Sequence, residues 1–500
     1  MDLSDAFGAA RHALRRDPVG VLPYFLAGSG VAILGQGVFF VGALLAYAVL
    51  AAQGRIAPFL AEVRGLDIDL TTTDPDPAVV DRLGEATMTL VTPGTVLVGV
   101  GTVLVATVVV FVARAAVIAA QIHAVTGALT GSSPLEAGLA GVRRDGWRFV
   151  RLGLLAVVLY LVPVLVGVGV VAGVAVLSSA VAALLGVLLA LLAVPVLFAV
   201  YLALLFVPQA IVVDDVGVLR GVRANLGFLR SNPWSVAGFV LVSIGVGGVA
   251  GFAFVALAIA GVPQLSSVVT LFAITPFLAL LKTGLYLDDE AAVTPPPTGF
   301  VREGMRAAAR RGRAELGAVL RHHPGLVGAG LALFGVGGVA GYRATTALSL
   351  PTIPGPLRPE DVFGFVPVDV FVQIAVNNWL VAIAQAYGGL AAGIPTAVNL
   401  LFNGFVVGAV GGLGFEPRTF AALVAPHGVI EIPALAVAGA IGLSLGRDAW
   451  RYARGRTDAP AMADSVERAF YALLGLLPVF VVAAFVEAFV TPWVATVLLG

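Results

Sequence analysis

His427 and Glu431 stand four residues apart in Ala425-Pro426-His427-Gly428-Val429-Ile430-Glu431, at the mouth of an apolar run. That spacing puts both side chains on one face of a helix. A histidine and a glutamate so placed can trade protons as a catalytic pair. They can equally relay protons or ions through a membrane. They can also hold helices together by hydrogen bonds worth about 0.6–2 kcal/mol each in lipid. Zinc asks for three protein ligands and usually more than one histidine; only Glu487 could join this pair, so no metal is expected. A covalent hydrolase would need a serine, cysteine or aspartate nucleophile, and none stands beside the histidine.

Other polar side chains fall in the same part of the chain. Asn377 and Asn378 open one apolar run, and Gln385 follows one or two turns on. Asn399 and Asn403 are four apart on one face of the next run, and Glu487 lies in Phe485-Val486-Glu487-Ala488-Phe489-Val490-Thr491-Pro492. A carboxylate facing hydrocarbon costs several kcal/mol, so these groups are expected to face protein or water. The expected site is therefore one shared polar pocket of His427, Glu431, Glu487, Asn377, Asn378, Asn399 and Asn403. His322 and His323 belong to a basic segment and are expected to be solvated. In the first half of the chain Gln36, Gln121 and Gln209 are scattered, and Arg114 can snorkel to a membrane surface. No reaction centre is expected there.

These residues sit in a chain that is otherwise oil. Of its 500 residues 59% are hydrophobic and 12% charged, and mean hydropathy is +1.01. Repeated apolar runs of span length mean a polytopic membrane protein. Lipid offers the backbone no partners, and the runs are continuous rather than alternating, so the spans are helices and the class is all-α. About eleven spans are expected, near residues 20–48, 93–120, 152–177, 181–211, 235–261, 266–286, 325–345, 372–391, 395–414, 429–446 and 470–492. With this count, 21 of the 29 cations fall on one side and six on the other. The positive-inside rule then puts the N-terminus in the cytoplasm and the C-terminus outside, across the cytoplasmic membrane. The first run is longer than a signal peptide's and is expected to be retained. There are no cysteines, which excludes disulfides and thiolate metal sites. No cofactor and no nucleic-acid partner are expected; the partners are the bilayer and membrane or envelope proteins.

The chain divides at Asp288-Asp289-Glu290 and Pro295-Pro296-Pro297, where acid and proline end any helix. Residues 1–287 form a six-span unit, 288–299 a cytoplasmic linker, and 300–500 a five-span unit led by a basic amphipathic helix. The first outer loop is acidic, with Glu62, Asp67, Asp69, Asp74, Asp76, Asp81 and Glu85. Three basic segments share one ending: Leu14-Arg15-Arg16-Asp17-Pro18, Leu229-Arg230-Ser231-Asn232-Pro233 and Leu320-Arg321-His322-His323-Pro324. Each predicts a surface-lying helix, a cap, and a span opening on proline. The string Gly-Val-Gly-Gly-Val-Ala-Gly occurs at Gly245–Gly251 and again at Gly335–Gly341. Inside a span it signals close helix packing, not a dinucleotide loop.

From Phe300 to Thr491 the chain resembles the stage II sporulation protein M family. The matching pieces are Asn378, Asn403-Gly404 with Gly408, and Pro426-His427-Gly428-Val429 with Glu431 and Ala434. Gly439, Gly442, Gly446, Glu487-Ala488 and Thr491-Pro492 complete the set. The resemblance implies a five-span integral membrane protein, whose sporulation member works in engulfment beside cell-wall-degrading partners. Residues 1–287 resemble the membrane domains found beside glycerophosphodiester phosphodiesterases, through Phe206-Val207-Pro208-Gln209-Ala210-Ile211-Val212-Val213-Asp214-Asp215; no phosphodiesterase site accompanies them. The function expected is a non-enzymatic membrane scaffold or assembly protein. The alternatives are a proton-coupled permease using Glu431 and Glu487, and an intramembrane hydrolase using His427 and Glu431.

Overall fold

A computed structural model describes residues 2–66, 76–287, 300–348, 367–413 and 416–499. Asp67, Asp69 and Asp74 of the acidic loop, and the linker 288–299, lie outside the described residues. Among those described there is no strand, and the fold is all-α. The helices are α1 (Leu3–Arg16), α2 (Pro18–Ala52), α3 (Ile56–Arg64), α4 (Pro77–Met88), α5 (Pro93–Thr130), α6 (Pro134–Ala175), α7 (Ser179–Leu204), α8 (Val207–Val213), α9 (Val218–Ser231) and α10 (Pro233–Ile259). They continue as α11 (Gln264–Val269), α12 (Thr275–Leu287), α13 (Phe300–His322), α14 (Pro324–Thr346), α15 (Val368–Gly388), α16 (Ile394–Gly411), α17 (Pro417–Ala453), α18 (Ala459–Phe485) and α19 (Thr491–Leu499). Two π-helical turns, Thr270–Ile274 and Val486–Val490, join α11 to α12 and α18 to α19. Among the described residues eleven helical segments are long and apolar enough to cross a membrane, one for each expected span.

Proline sets where helices begin. α2, α4, α5, α6, α10, α14 and α17 all start on one, where the missing N–H would have had no intrahelical partner anyway. The three shared endings therefore work as helix starts at Pro18, Pro233 and Pro324. At the first, Asp17 caps the new helix by accepting from the Gly20 N–H at 2.9 Å. The basic segments before them are helices α1, α9 and α13, and each is docked on its own chain. α1 turns Ala6, Ala9, Ala10 and Ala13 inward against α12. α13 meets α18, where a Cβ added to Gly475 would lie 2.4 Å from the Gly312 carbonyl oxygen. Arg311 secures that contact with Glu467 at 2.7 Å.

Contacts divide the chain into two compact units: Met1–Phe25, Phe111–Ala250 and Leu271–Thr298 in one, and Leu26–Val110, Gly251–Thr270 and Gly299–Gly500 in the other. The first has an aliphatic and aromatic core that includes Val21, Phe25, Leu129, Phe206, Phe239, Leu280 and Leu281. Its helix break between α7 and α8 is satisfied by one buried side chain. Asn225 accepts from the Phe206 N–H and donates to the carbonyls of Leu202 and Ala203, at 2.9, 3.0 and 2.8 Å. Those groups are the orphans that any helix end leaves behind.

The second unit is held by backbones in near contact. A Cβ on Gly337 or Gly341 of α14 would lie 2.0 Å from the carbonyl oxygen of Leu401 or Phe405 on α16. From the other side, a Cβ on Gly404 or Gly408 would lie 1.9 Å from that of Phe334 or Gly338. Only hydrogen fits at these four positions. Two buried polar side chains add direct ties: Gln385 of α15 donates to the Leu435 carbonyl of α17 at 2.7 Å, and Trp379 to that of Leu473 at 2.8 Å.

Candidate functional site

The site is built on α17 and on the turn that ends α18. The apolar run expected to open near residue 429 is the middle of a longer helix. α17 starts at Pro417, so His427 and Glu431 lie well inside it and not at its mouth. Pro426 and Pro433 flank the pair without ending the helix. Each removes one backbone N–H and crowds the carbonyl four residues back, those of Ala422 and Val429. A membrane helix tolerates this when neighbouring helices and side chains satisfy the freed groups.

Glu487 arrives from a different kind of distortion. Val486–Val490 is π-helical, and the backbone N–H of Thr491 reaches back to the Val486 carbonyl. The following Pro492 has no N–H to give and would press on the Ala488 carbonyl in a regular helix. One wide turn relieves that crowding. The Thr491 hydroxyl reinforces the turn by donating to the same Val486 carbonyl at 3.1 Å. Single π turns inside α-helices recur at functional positions, and this one carries the last glutamate of the chain.

His427, Glu431 and Glu487 meet. One side-chain donor atom from each, a ring nitrogen and two carboxylate oxygens, all lie within 4.8 Å of one another. All three residues are half-buried. Thr491, fully buried, stands beside them with its hydroxyl 3.5 Å from His427 Nδ1. Among the described residues no arginine or lysine pairs with either glutamate.

The asparagines form pairs of their own. Asn377 donates to the Asn378 side chain at 3.2 Å, about halfway along α15 rather than at its opening. Asn403 donates to the side chain of Asn399 at 3.0 Å and to its carbonyl at 2.8 Å. Their hydrogen bonds run to each other and not to the acidic cluster. A second polar recess, of about 340 Å³, is lined by Glu315, His322, His323, Asp448, Ser465 and Arg468. Asp448 is seventeen residues beyond Glu431 on α17, so the recess lies ~26 Å further along that helix.

The first unit holds a polar group that composition and spacing did not reveal. Asp145, fully buried on α6, accepts from His123 of α5 at 2.9 Å and pairs with Arg148 at 2.8 Å. Arg144 and Arg148 both hold Asp215 at 2.7 Å, on the short connection after α8. These two guanidiniums pull the Asp215 carboxyl down to about 2. Asp215 also has a left-handed backbone, with φ of 52°. Every charge in this set is answered by another, as in an ionic latch.

The stage II sporulation protein M family matches residues 330–492. That stretch contains the whole cluster, Thr491 and the four glycines shared by α14 and α16. An uncharacterized protein of Methanocaldococcus jannaschii is 30% identical over 175 residues, which are 34% of this chain and 95% of that relative. No solved structure matches the chain.

Proposed function

We propose, because the chain belongs to the stage II sporulation protein M family, that it serves the cytoplasmic membrane as a non-enzymatic assembly protein. The distribution of arginines supports an N-terminus in the cytoplasm and a C-terminus outside. The partners are other membrane or envelope proteins. One observation carries this reading: α14 and α16 touch through Gly337, Gly341, Gly404 and Gly408 with no side chain between them. A carrier that alternates access rocks one helical group against another around its site. Helices in backbone contact have no room to slide, because interfaces packed this closely are stiff. A helix pair locked in this way suits a platform on which other proteins assemble.

The test is capture from native membranes followed by mass spectrometry. Wild-type protein is expected to retain a reproducible set of envelope proteins, and Glu431→Gln to lose part of that set with no change in solute flux through reconstituted vesicles. Proton-dependent uptake that vanishes in Glu431→Gln would overturn the assembly role. It would favour a permease, for which the approach of Glu431 to Glu487 is the supporting observation. Turnover of a lipid or peptide by the pure protein, abolished by His427→Ala, would favour hydrolysis instead.

A further inference from the structure

We propose that His427, Glu431 and Glu487 are the protein ligands of one divalent transition-metal ion, with zinc the first choice. This stands on side-chain geometry and holds whether or not the assembly reading does. The three donor atoms lie within 4.8 Å of one another. Around a tetrahedral zinc, with bonds of ~2.0–2.1 Å, neighbouring donors sit ~3.4 Å apart. Rotation of three half-buried side chains closes a difference of that size.

Charge argues the same way. Two carboxylates meet in an apolar helical unit, and no described arginine or lysine pairs with either. An unpaired buried charge is costly, and a doubly charged cation answers both at once. The donor set then selects the ion. Calcium, magnesium and manganese prefer oxygen ligands, and an imidazole nitrogen suits zinc, copper, iron or nickel better. Zinc binds such a site more tightly than iron does, and three protein ligands with one open position suit its tetrahedral preference better than the tetragonal one of copper(II) or nickel(II). A single histidine weighed against a metal in the sequence. The structure brings the third donor, the Glu487 carboxylate, into place from a segment fifty-six positions further along the chain. Three protein ligands leave a fourth position open for water or another ligand.

Thr491 completes the site without touching the metal. Its hydroxyl hydrogen is committed to the Val486 carbonyl. Its oxygen, 3.5 Å from His427 Nδ1, can then only accept from that nitrogen. When His427 donates through Nδ1 to this oxygen, the lone pair of Nε2 is left free to bind. An outer hydrogen bond that fixes the tautomer of a ligating histidine is a general feature of metal sites. Glu487 and Thr491 are four residues apart, so one short stretch presents both the carboxylate and this hydroxyl on one side.

The experiment uses the full chain in detergent, stripped with a chelator and then dialysed against buffered zinc. Elemental analysis is expected to find one tightly held zinc per chain, and cobalt in its place to give the visible absorption of a tetrahedral site. Glu431→Gln and Glu487→Gln should each weaken zinc binding at least tenfold. Thr491→Val keeps the side chain's shape but gives up the bond to the Val486 carbonyl; stripped, it should fold and melt somewhat below wild type, and it should bind zinc about 10–100-fold more weakly. The proposal is overturned if stripped wild-type protein takes up no more zinc than the Glu431→Gln/Glu487→Gln double variant. That outcome counts even if a variant fails to fold, because wild type alone must then show a saturable site, and a wild type without one overturns the assignment. Displacement of zinc by equimolar magnesium would overturn the choice of a transition metal.

Discussion

The same seven residues, Gly-Val-Gly-Gly-Val-Ala-Gly, stand in α10 at Gly245–Gly251 and in α14 at Gly335–Gly341. In α14, Gly337 and Gly341 press on the backbone of α16. In α10, a Cβ on Gly245, Gly247, Gly248 or Gly251 would meet nothing within 4 Å. One string gives two opposite environments. A glycine stripe permits close approach but does not recruit a partner. The partner must carry its own small residues at matching heights, as α16 does with Gly404 and Gly408. Where that match is missing, something else must hold the helices. In the first unit it is the aliphatic and aromatic core, with Val236 and Phe239 from α10, together with the charges around Asp145 and Asn225 at the helix break.

The largest expected effect therefore lies in the first unit. Asp145→Ala leaves His123 and Arg148 without their buried partner. Removing one member of such a pair costs about 3–5 kcal/mol. Denaturant or detergent unfolding should show that loss, and loss of the contact between α5 and α6 should come first. If Asp145→Ala unfolds like wild type, the charged set is ornamental and the comparison between the two regions fails.

Next is Gly341→Ala in the second unit. The new methyl carbon would sit 2.0 Å from the Phe405 carbonyl oxygen, which belongs to a helix backbone and cannot turn aside. Overpacking of this kind costs about 1–3 kcal/mol, occasionally more. The same substitution at Gly251, in the equivalent place of the other copy, adds a methyl in open space. It should be neutral or stabilise by about 0.5–1 kcal/mol, since alanine loses less backbone freedom in a helix. Thermal melts of the two variants side by side sharpen the comparison to one atom each. Equal losses would mean that the α10 stripe is covered too.

Much of this was legible in the sequence, for physical reasons that also mark the limit. Span count and helix starts follow from local rules: continuous apolar runs need helices, and proline favours their first turn. Helix length was less visible, because α17 runs through polar residues at both ends and through Pro426 and Pro433. His427 and Glu431 were readable as a pair because four residues is one helical turn. Their meeting with Glu487 depends on tertiary packing of α17 against the end of α18. The π turn had a signal that went unused. Both π segments are followed by Thr-Pro, at Thr275-Pro276 and Thr491-Pro492, and only the second contains an acid. Asp145 was hidden between arginines in a stretch that looked like a basic surface, and His123 lay within an apolar run.

The smallest expected effect separates the two regions by pH. The folded chain holds the Asp215 carboxyl at about 2, against an ordinary value of 3.8. A carboxyl depressed on folding contributes stability above its unfolded value, and that contribution fades as pH falls from 3.8 toward about 2. Asp215 is well exposed, so solvent screens its pairs with Arg144 and Arg148 and the effect is modest. Asp215→Asn should melt slightly below wild type at neutral pH, and the gap should close through that acid window. The glycine contacts of α14 with α16 hold no charge, so the melting difference between Gly341→Ala and wild type should keep its size over the same range. A gap for Asp215→Asn that stays constant into acid would mean that Arg144 and Arg148 hold the connection through Asp145 alone.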